Sequence, residues 1–201
     1  MGTEENNNIS LKIAELAHKA RAGNRLSFQE LVSMFQEDIH RLAYYRTFSQ
    51  MDAEDITQEV FVQAYRKLKS LKDTQRFRAW LYSIAVNRCN DFLRKRKYLS
   101  LLHIRTAREQ EFIEEEKGMS KNYNDTIAKK RFWEQVRTLL EKLSTMEREV
   151  FTLRFMDQRN INEIATILGK SESTVKTHLY RALEKVRKDS VFFQEYRESI
   201  S

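Results

Sequence analysis

The chain of 201 residues contains no proline, four glycines and one cysteine. Proline breaks helix interiors and glycine weakens them, so their scarcity favours an all-α protein with few tight turns. The single Cys89 excludes an intramolecular disulfide and any cysteine-based zinc cluster. It stands in an apolar helical pattern, where a buried thiol acts as a small hydrophobe. The histidines His18, His40, His103 and His178 have no metal-ligand spacing, so neither a metal nor another cofactor is expected. No apolar run approaches the length of a transmembrane helix, and MGTEENNN lacks the pattern of a signal peptide. A cytoplasmic protein without membrane insertion is the expectation.

What is present narrows the class further. Hydrophobic residues make up 41%, enough for real cores, and 32% are charged, which demands a highly polar surface. The net charge of +7 points to an anionic partner, with nucleic acid ahead of a membrane surface. The length suits one large or two small domains.

The stretch Asn160–Lys188 organises the rest. Asn160 with Glu163 has the spacing of a capping box, and Ile161, Ile164, Ala165 and Leu168 follow at helical spacing. Gly169 suits the left-handed backbone that ends a helix, and Ser171 can cap a second one. That second helix has Val175, Leu179, Ala182, Leu183 and Val186 as its apolar set. The spacing predicts a helix-turn-helix, whose second helix enters the DNA major groove. Ser173, Lys176, Thr177, Tyr180 and Arg181 share the opposite side and can all donate hydrogen bonds. From Arg159 to Lys188, seven Lys/Arg stand against three Glu, an excess of +4 suited to phosphate. An ordinary helical hairpin with a solvated basic face would carry the same residues.

Before it, residues 1–8 are polar and expected to fray. A helix is expected from Ile9 to Ala22, ended by Gly23. Ser27 and Glu30 have capping-box spacing and precede the stripe Phe28, Leu31, Val32, Phe35, Ile39, Leu42 and Ala43. Asp52 is expected to cap a third helix with Ile56, Val60, Ala64 and Leu68 inward. Its outer positions Glu54, Asp55, Gln58 and Glu59 form a mainly acidic face, either simply solvated or a docking surface.

A fourth helix is expected from Gln75 to Lys97, with Phe77, Leu81, Ile84, Ala85, Cys89 and Phe92 on its core side. A second stripe runs Trp80, Ser83, Asn87, Asn90, Asp91 and Arg94 into Lys95, Arg96 and Lys97. An exposed aromatic in line with amides and arginine can stack on and hydrogen-bond single-stranded bases. A buried Trp80 and a merely solvated RKRK run would be the plainer alternative. Residues 99–127 break the pattern with an acidic cluster (Glu109, Glu111, Glu114–Glu116) and read as a flexible or partly helical linker. A second helical domain is expected from Ala128, carrying Phe132, Val136, Leu139, Leu140 and Leu143. The Ser144–Glu147 spacing caps its next helix, with Met146, Val150 and Leu153 inward. The tail from residue 190 either packs back or frays.

Taken together, these residues resemble a bacterial sigma-70 family factor of the small extracytoplasmic-function class. The resemblance covers about residues 10–98 and 128–188 and rests on three stretches in order: DAEDITQEVFVQAY, FRAWLYSIAVNRCNDFLRKRK and LSTMEREVFTLRF with the helix-turn-helix. It implies an all-α fold of two small domains, 9–98 and 128–189, joined by the linker 99–127 and followed by the tail 190–201. On the family pattern Asp52, Asp55, Gln58, Glu59 and Phe61 would contact the clamp of core RNA polymerase. Trp80, Asn87, Asp91, Arg94, Lys95, Arg96 and Lys97 match the segment that captures and melts the −10 promoter element. Arg159, Ser173, Thr174, Lys176, Thr177, Tyr180 and Arg181 would face the −35 duplex. The resemblance further implies a contact with the flap of the second largest polymerase subunit, threading of the acidic linker near the RNA path, and an anti-sigma factor. It implies no enzymatic chemistry.

Two rivals come from other classes. A stand-alone helix-turn-helix regulator would dimerise and protect a palindromic site without polymerase. It has no evident use for the acidic DAEDITQE face or the Trp80–Arg94 stripe. A nuclease would need a metal-binding carboxylate or histidine cluster, and none stands out.

Overall fold

The computed structural model describes residues 2–101 and 134–188, and among these there are helices and turns but no strands. They belong to two compact units, one N-terminal and one C-terminal. The start of the second domain at 128, Phe132, the tail and all but the first three residues of the 99–127 linker lie outside the described residues.

The N-terminal unit has four helices: α1 (Gly2–Arg21), α2 (Arg25–Thr47), α3 (Gln50–Lys67) and α4 (Phe77–Leu101). α1 reaches back to Gly2 instead of fraying up to residue 8. No proline or glycine lies between Thr3 and Ala22 to stop it, and extending an existing helix costs far less than starting one. At its other end Gly23 takes φ 106°, a region open to glycine, and turns the chain into α2.

Two expected caps move. Asn24 caps α2, its side chain accepting from the Ser27 N–H at 3.1 Å. Ser27 is therefore already inside the helix and buried, and Glu30 pairs with Lys12 of α1 at 2.7 Å instead of closing a box. For α3 the cap is Ser49, whose hydroxyl accepts from the Asp52 N–H at 3.2 Å. Asp52 is a first-turn residue rather than the cap. In both places two polar residues three apart compete, and the upstream one wins because the chain is already extended there.

α2 packs against both α1 and α3. Leu31, Ile39, Leu42 and Phe35 of α2 meet a core that includes Ile56 and Val60 of α3 and Phe77 and Leu81 of α4, all buried. Each such side chain contributes about 1.5–3 kcal/mol by leaving water. Two one-turn 3-10 helices, Leu68–Ser70 and Thr74–Arg76, carry the chain from α3 to α4. Arg21 of α1 fastens this link by donating to the carbonyl oxygens of Leu71 (2.9 Å) and Lys72 (3.3 Å). α4 starts two residues later than its pattern predicts and runs on to Leu101, so the first linker residues are helical.

The C-terminal helices are α5 (134–141), α6 (Thr145–Phe155), α7 (Ile161–Leu168) and α8 (Glu172–Lys188). Val136, Leu139, Leu140 and Leu143 are buried as expected, as are Val150 and Leu153. The Ser144–Glu147 capping box forms in both directions. α8 packs on α6 through Val175, Ala182 and Val186. Leu183, expected inward, is 41% exposed. Successive helical residues turn by about 100°, which carries Leu183 off the narrow seam that Ala182 occupies.

Candidate nucleic-acid interface

The helix-turn-helix forms as its residues dictate. The Asn160 N–H donates to the Glu163 carboxylate and the Glu163 N–H to the Asn160 side chain, both at 2.9 Å. Gly169 takes φ 61° at the end of α7, and the Ser171 hydroxyl accepts the Thr174 N–H at 3.2 Å to start α8. Ser173, Lys176, Thr177, Tyr180 and Arg181 are then exposed along α8, while Thr174 is half-buried. Tyr180 is 72% exposed, a large cost in water-facing aromatic surface for a residue with no outside partner. Lys176 and Glu172 stand 3.7 Å apart on the same surface.

Arg159 is the exception in this group. Its guanidinium is largely buried, 3.9 Å from Glu163 one turn into α7. Its N–H donates to the Leu153 carbonyl at 2.8 Å, and its own carbonyl accepts from Arg154 at 3.1 Å. The backbone on both sides of Arg159 thus holds the connection between α6 and α7, and the side chain lies inward.

Behind α8, Lys185 donates to the buried carboxylate of Glu147 at 2.7 Å. That hydrogen bond from an ammonium holds the Glu147 carboxyl below its ordinary range; burial works against it, and the N–H and hydroxyl of Ser144 assist. Near the end of α8 the Lys188 ammonium lowers Glu184 in the same way, by a hydrogen bond at 2.8 Å.

On α4 the second stripe is real but less open than its residue types suggest. Trp80 is half-buried, its ring centroid 5.7 Å from that of Phe77. Asn87 and Asp91 are exposed, and Asp91 pairs with Arg94 at 2.7 Å. Arg94, Lys95 and Lys97 reach into solvent while Arg96 is half-buried. Tyr82 is fully buried, its hydroxyl donating to Asp38 at 3.2 Å. This polar tie between α4 and α2 has no signature in the sequence, because the two residues are 44 positions apart.

On α3 the five residues expected at the polymerase separate. Gln58 and Glu59 are exposed and Asp55 is half-buried, but Asp52 and Phe61 are buried, at 5% and 9% exposure. Phe61 follows Val60 round the helix into the core, and Asp52 is drawn in beside its cap. The outward face continues instead through Val62 and Arg66, and together with Arg88 of α4 these line an open groove. Arg88 forms an ion pair with Glu59, which makes this end of the face mixed in charge instead of acidic. Sequence reasoning missed Arg88 because it belongs to the next helix.

Among the described residues there is no group of three or more His, Cys, Asp or Glu placed to hold a metal, and no helix long and apolar enough to cross a membrane.

Comparison with known proteins gives these surfaces a context. Residues 31–98 match Sigma-70 region 2, and residues 133–186 match Sigma-70, region 4. The RNA polymerase sigma factor SigV of Bacillus subtilis is 33% identical over 152 residues, 76% of this chain and 84% of the relative. The ECF RNA polymerase sigma factor SigW of the same species is 27% identical over 182 residues, covering 90% of this chain and 97% of the relative. Among solved structures, CnrH in complex with the cytosolic domain of CnrY matches with a TM-score of 0.64 at 27% identity, over 89% of this chain and 99% of that one. The sigma factor RpoE in complex with the anti-sigma factor NepR from Bartonella quintana shares the fold, with a TM-score of 0.57 at 20% identity over 80% of this chain and 94% of that one. With region 2 on α2–α4 and region 4 on the helices that end in α8, the chain belongs to the sigma-70 family, as an RNA polymerase sigma factor of the extracytoplasmic-function class.

Proposed function

We propose that the chain binds core RNA polymerase and directs it to a specific set of promoters, reading the −35 element with α8 and capturing and opening the −10 element with α4. The observation that carries this reading is the occurrence, in order, of both family regions, the first spanning most of α4 and the second most of α8. The protein performs no bond chemistry; it contributes placement. Two weak DNA sites held at fixed spacing by the polymerase gain from effective concentration, so neither need bind tightly alone.

Residue roles follow from exposure. Ser173, Lys176, Thr177, Tyr180 and Arg181 meet the −35 duplex, with Lys176 on phosphate and Arg181 suited to a bidentate contact with guanine. On α4, Trp80 supplies a stacking surface for an unpaired base, and Asn87, Arg94, Lys95 and Lys97 hold the strand. Arg159, Asp52 and Phe61 act through packing. The clamp of the largest subunit meets α3 through Asp55, Gln58 and Glu59, and the flap of the second largest subunit meets the C-terminal unit. The protein works in the cytoplasm, in domains 9–98 and 128–189, and an anti-sigma factor controls it; that the similar CnrH was captured with a protein partner, the cytosolic domain of CnrY, is in keeping with that last point. Pull-down with native partners tests it, and recovery of polymerase alone under every condition would count against it.

The dimeric regulator loses ground because its N-terminal half has no reason to match sigma region 2. Run-off transcription with purified core polymerase on a genomic promoter library decides. New start sites appearing only with the protein establish the activity. Palindromic protection without polymerase restores the rival.

A further inference from the structure

The DNA-reading side chains of α8 lie between two ties to the body of the C-terminal unit. At the start of the helix, the side-chain amide of Asn162 on α7 donates to Glu172 at 3.1 Å. One turn beyond Arg181, Lys185 donates to Glu147 on α6 at 2.7 Å. The first tie is exposed and therefore weak. The second is half-buried: the Lys185 side chain is 47% exposed, but Glu147 is 5% exposed and the same carboxylate oxygen also accepts the Ser144 N–H at 2.9 Å. A carboxylate held in a capping box keeps its place, so it restrains Lys185 on its flexible stem, and through it the rotation of α8.

The apolar contact alone would hold α8 loosely. Val175, Ala182 and Val186 are the fully buried part of a narrow seam, with Leu179 half-buried beside them. Such a seam permits a helix to roll by a fraction of a residue's turn with little loss of contact. A roll of that size moves side chains at the helix surface by ångströms, and bidentate base contacts do not tolerate this.

We propose that Glu147 and Lys185 are positioning residues for −35 recognition, setting the angle at which α8 enters the groove without touching a base. The inference rests on the assignment of α8 as the reading helix. It predicts that loss of the pair relaxes discrimination between promoters while leaving phosphate binding intact. Glu147→Gln is informative because glutamine still completes a capping box, so α6 keeps its cap while Lys185 loses its charged partner.

The test uses the full chain assembled with core polymerase. Promoters are first selected from a pool randomised in the −35 region. Wild type, Glu147→Gln, Lys185→Met, Lys185→Arg and the double variant Glu147→Gln/Lys185→Met are then compared on the selected promoter and on its single −35 substitutions, at several salt concentrations. We expect each of the first two single variants to lose about fivefold in discrimination, a coupling of ordinary size for contacting groups. The double variant should be no worse, Lys185→Arg should restore most of the loss, and the salt slope should not change. If Lys185→Met weakened selected and substituted promoters alike and flattened the salt slope by about one, Lys185 would be a phosphate ligand and the inference overturned. It is equally overturned if melting temperature falls while discrimination holds, which is a stability role only. A wild-type holoenzyme with no −35 preference would instead remove the reading on which the inference stands.

Discussion

α4 and α8 both carry residues for which we propose nucleic-acid contacts, yet they are built in opposite ways. α4 is buried over more than half its circumference, through Phe77, Leu81, Tyr82, Ile84, Ala85, Val86 and Cys89. Only a strip remains for the Trp80–Arg94 stripe, and parts of that strip are already engaged, Trp80 against Phe77 and Asp91 with Arg94. α8 buries only Val175, Ala182 and Val186 fully, with Leu179 half-buried beside them, and leaves most of its surface to solvent. The difference fits the roles proposed for the two helices. Holding an unpaired base requires a rigid platform, and a helix gripped on three sides provides one. Reading a duplex requires a helix that projects far enough to enter a groove, and projection costs contacts. What α4 obtains from packing, α8 must obtain from polar ties.

The comparison can be broken most severely at α4. Leu81→Ala empties a fully buried site and should cost about 2–5 kcal/mol, enough to lose the N-terminal unit in a thermal melt while the C-terminal unit keeps its helicity. If the remaining helicity also vanished, the two units would not be independent in stability. Trp80→Ala should leave holoenzyme assembly intact but lower strand opening, by about 1–3 kcal/mol per stacked base, seen as weaker permanganate reactivity of −10 thymines. Equal opening in variant and wild type would assign Trp80 to packing on Phe77 alone.

On α8 the corresponding loss is one of recognition, not folding. Arg181→Ala should cost about 1–3 kcal/mol on the preferred −35 sequence and relax specificity at one position, with an unchanged melting curve. Ser144→Ala removes a cap and should cost about 1 kcal/mol, confined to the C-terminal unit. The smallest effect is on pH dependence. Glu147 has a depressed folded pKa relative to its ordinary 4.5, so its contribution is complete above that value and is lost as pH falls through the folded one. Melts from neutral to strongly acidic pH should therefore show a shallower acid limb for Glu147→Gln than for wild type. Identical limbs would mean that Lys185 does not stabilise the charged carboxylate.

Much of this arrangement is written locally. The Asn160–Glu163 and Ser144–Glu147 boxes, the Gly23 and Gly169 turns and the Ser171 cap each depend on residues within four positions of one another. Hydrogen bonds of that range form whatever the rest of the chain does, so their spacing is legible. The stripes Leu31–Phe35–Ile39–Leu42 and Ile56–Val60–Ala64 are legible for a similar reason, since helical period alone puts them on one face. Errors arose where two local solutions competed, as between Ser49 and Asp52, or where a periodic residue lay at the margin of a narrow contact, as with Leu183.

The sequence by itself determined a helical fold in two regions, a helix-turn-helix and a basic outer face on its second helix, because composition, period and capping act over a few residues. Tertiary structure alone decided which polar residues remain available. It buried Asp52, Phe61 and most of Arg159, joined Arg88 to Glu59 across 29 positions, and set Lys185 on Glu147 across 38. Side-chain availability depends on what packs beside a residue, and those neighbours come from distant helices whose approach no local pattern records.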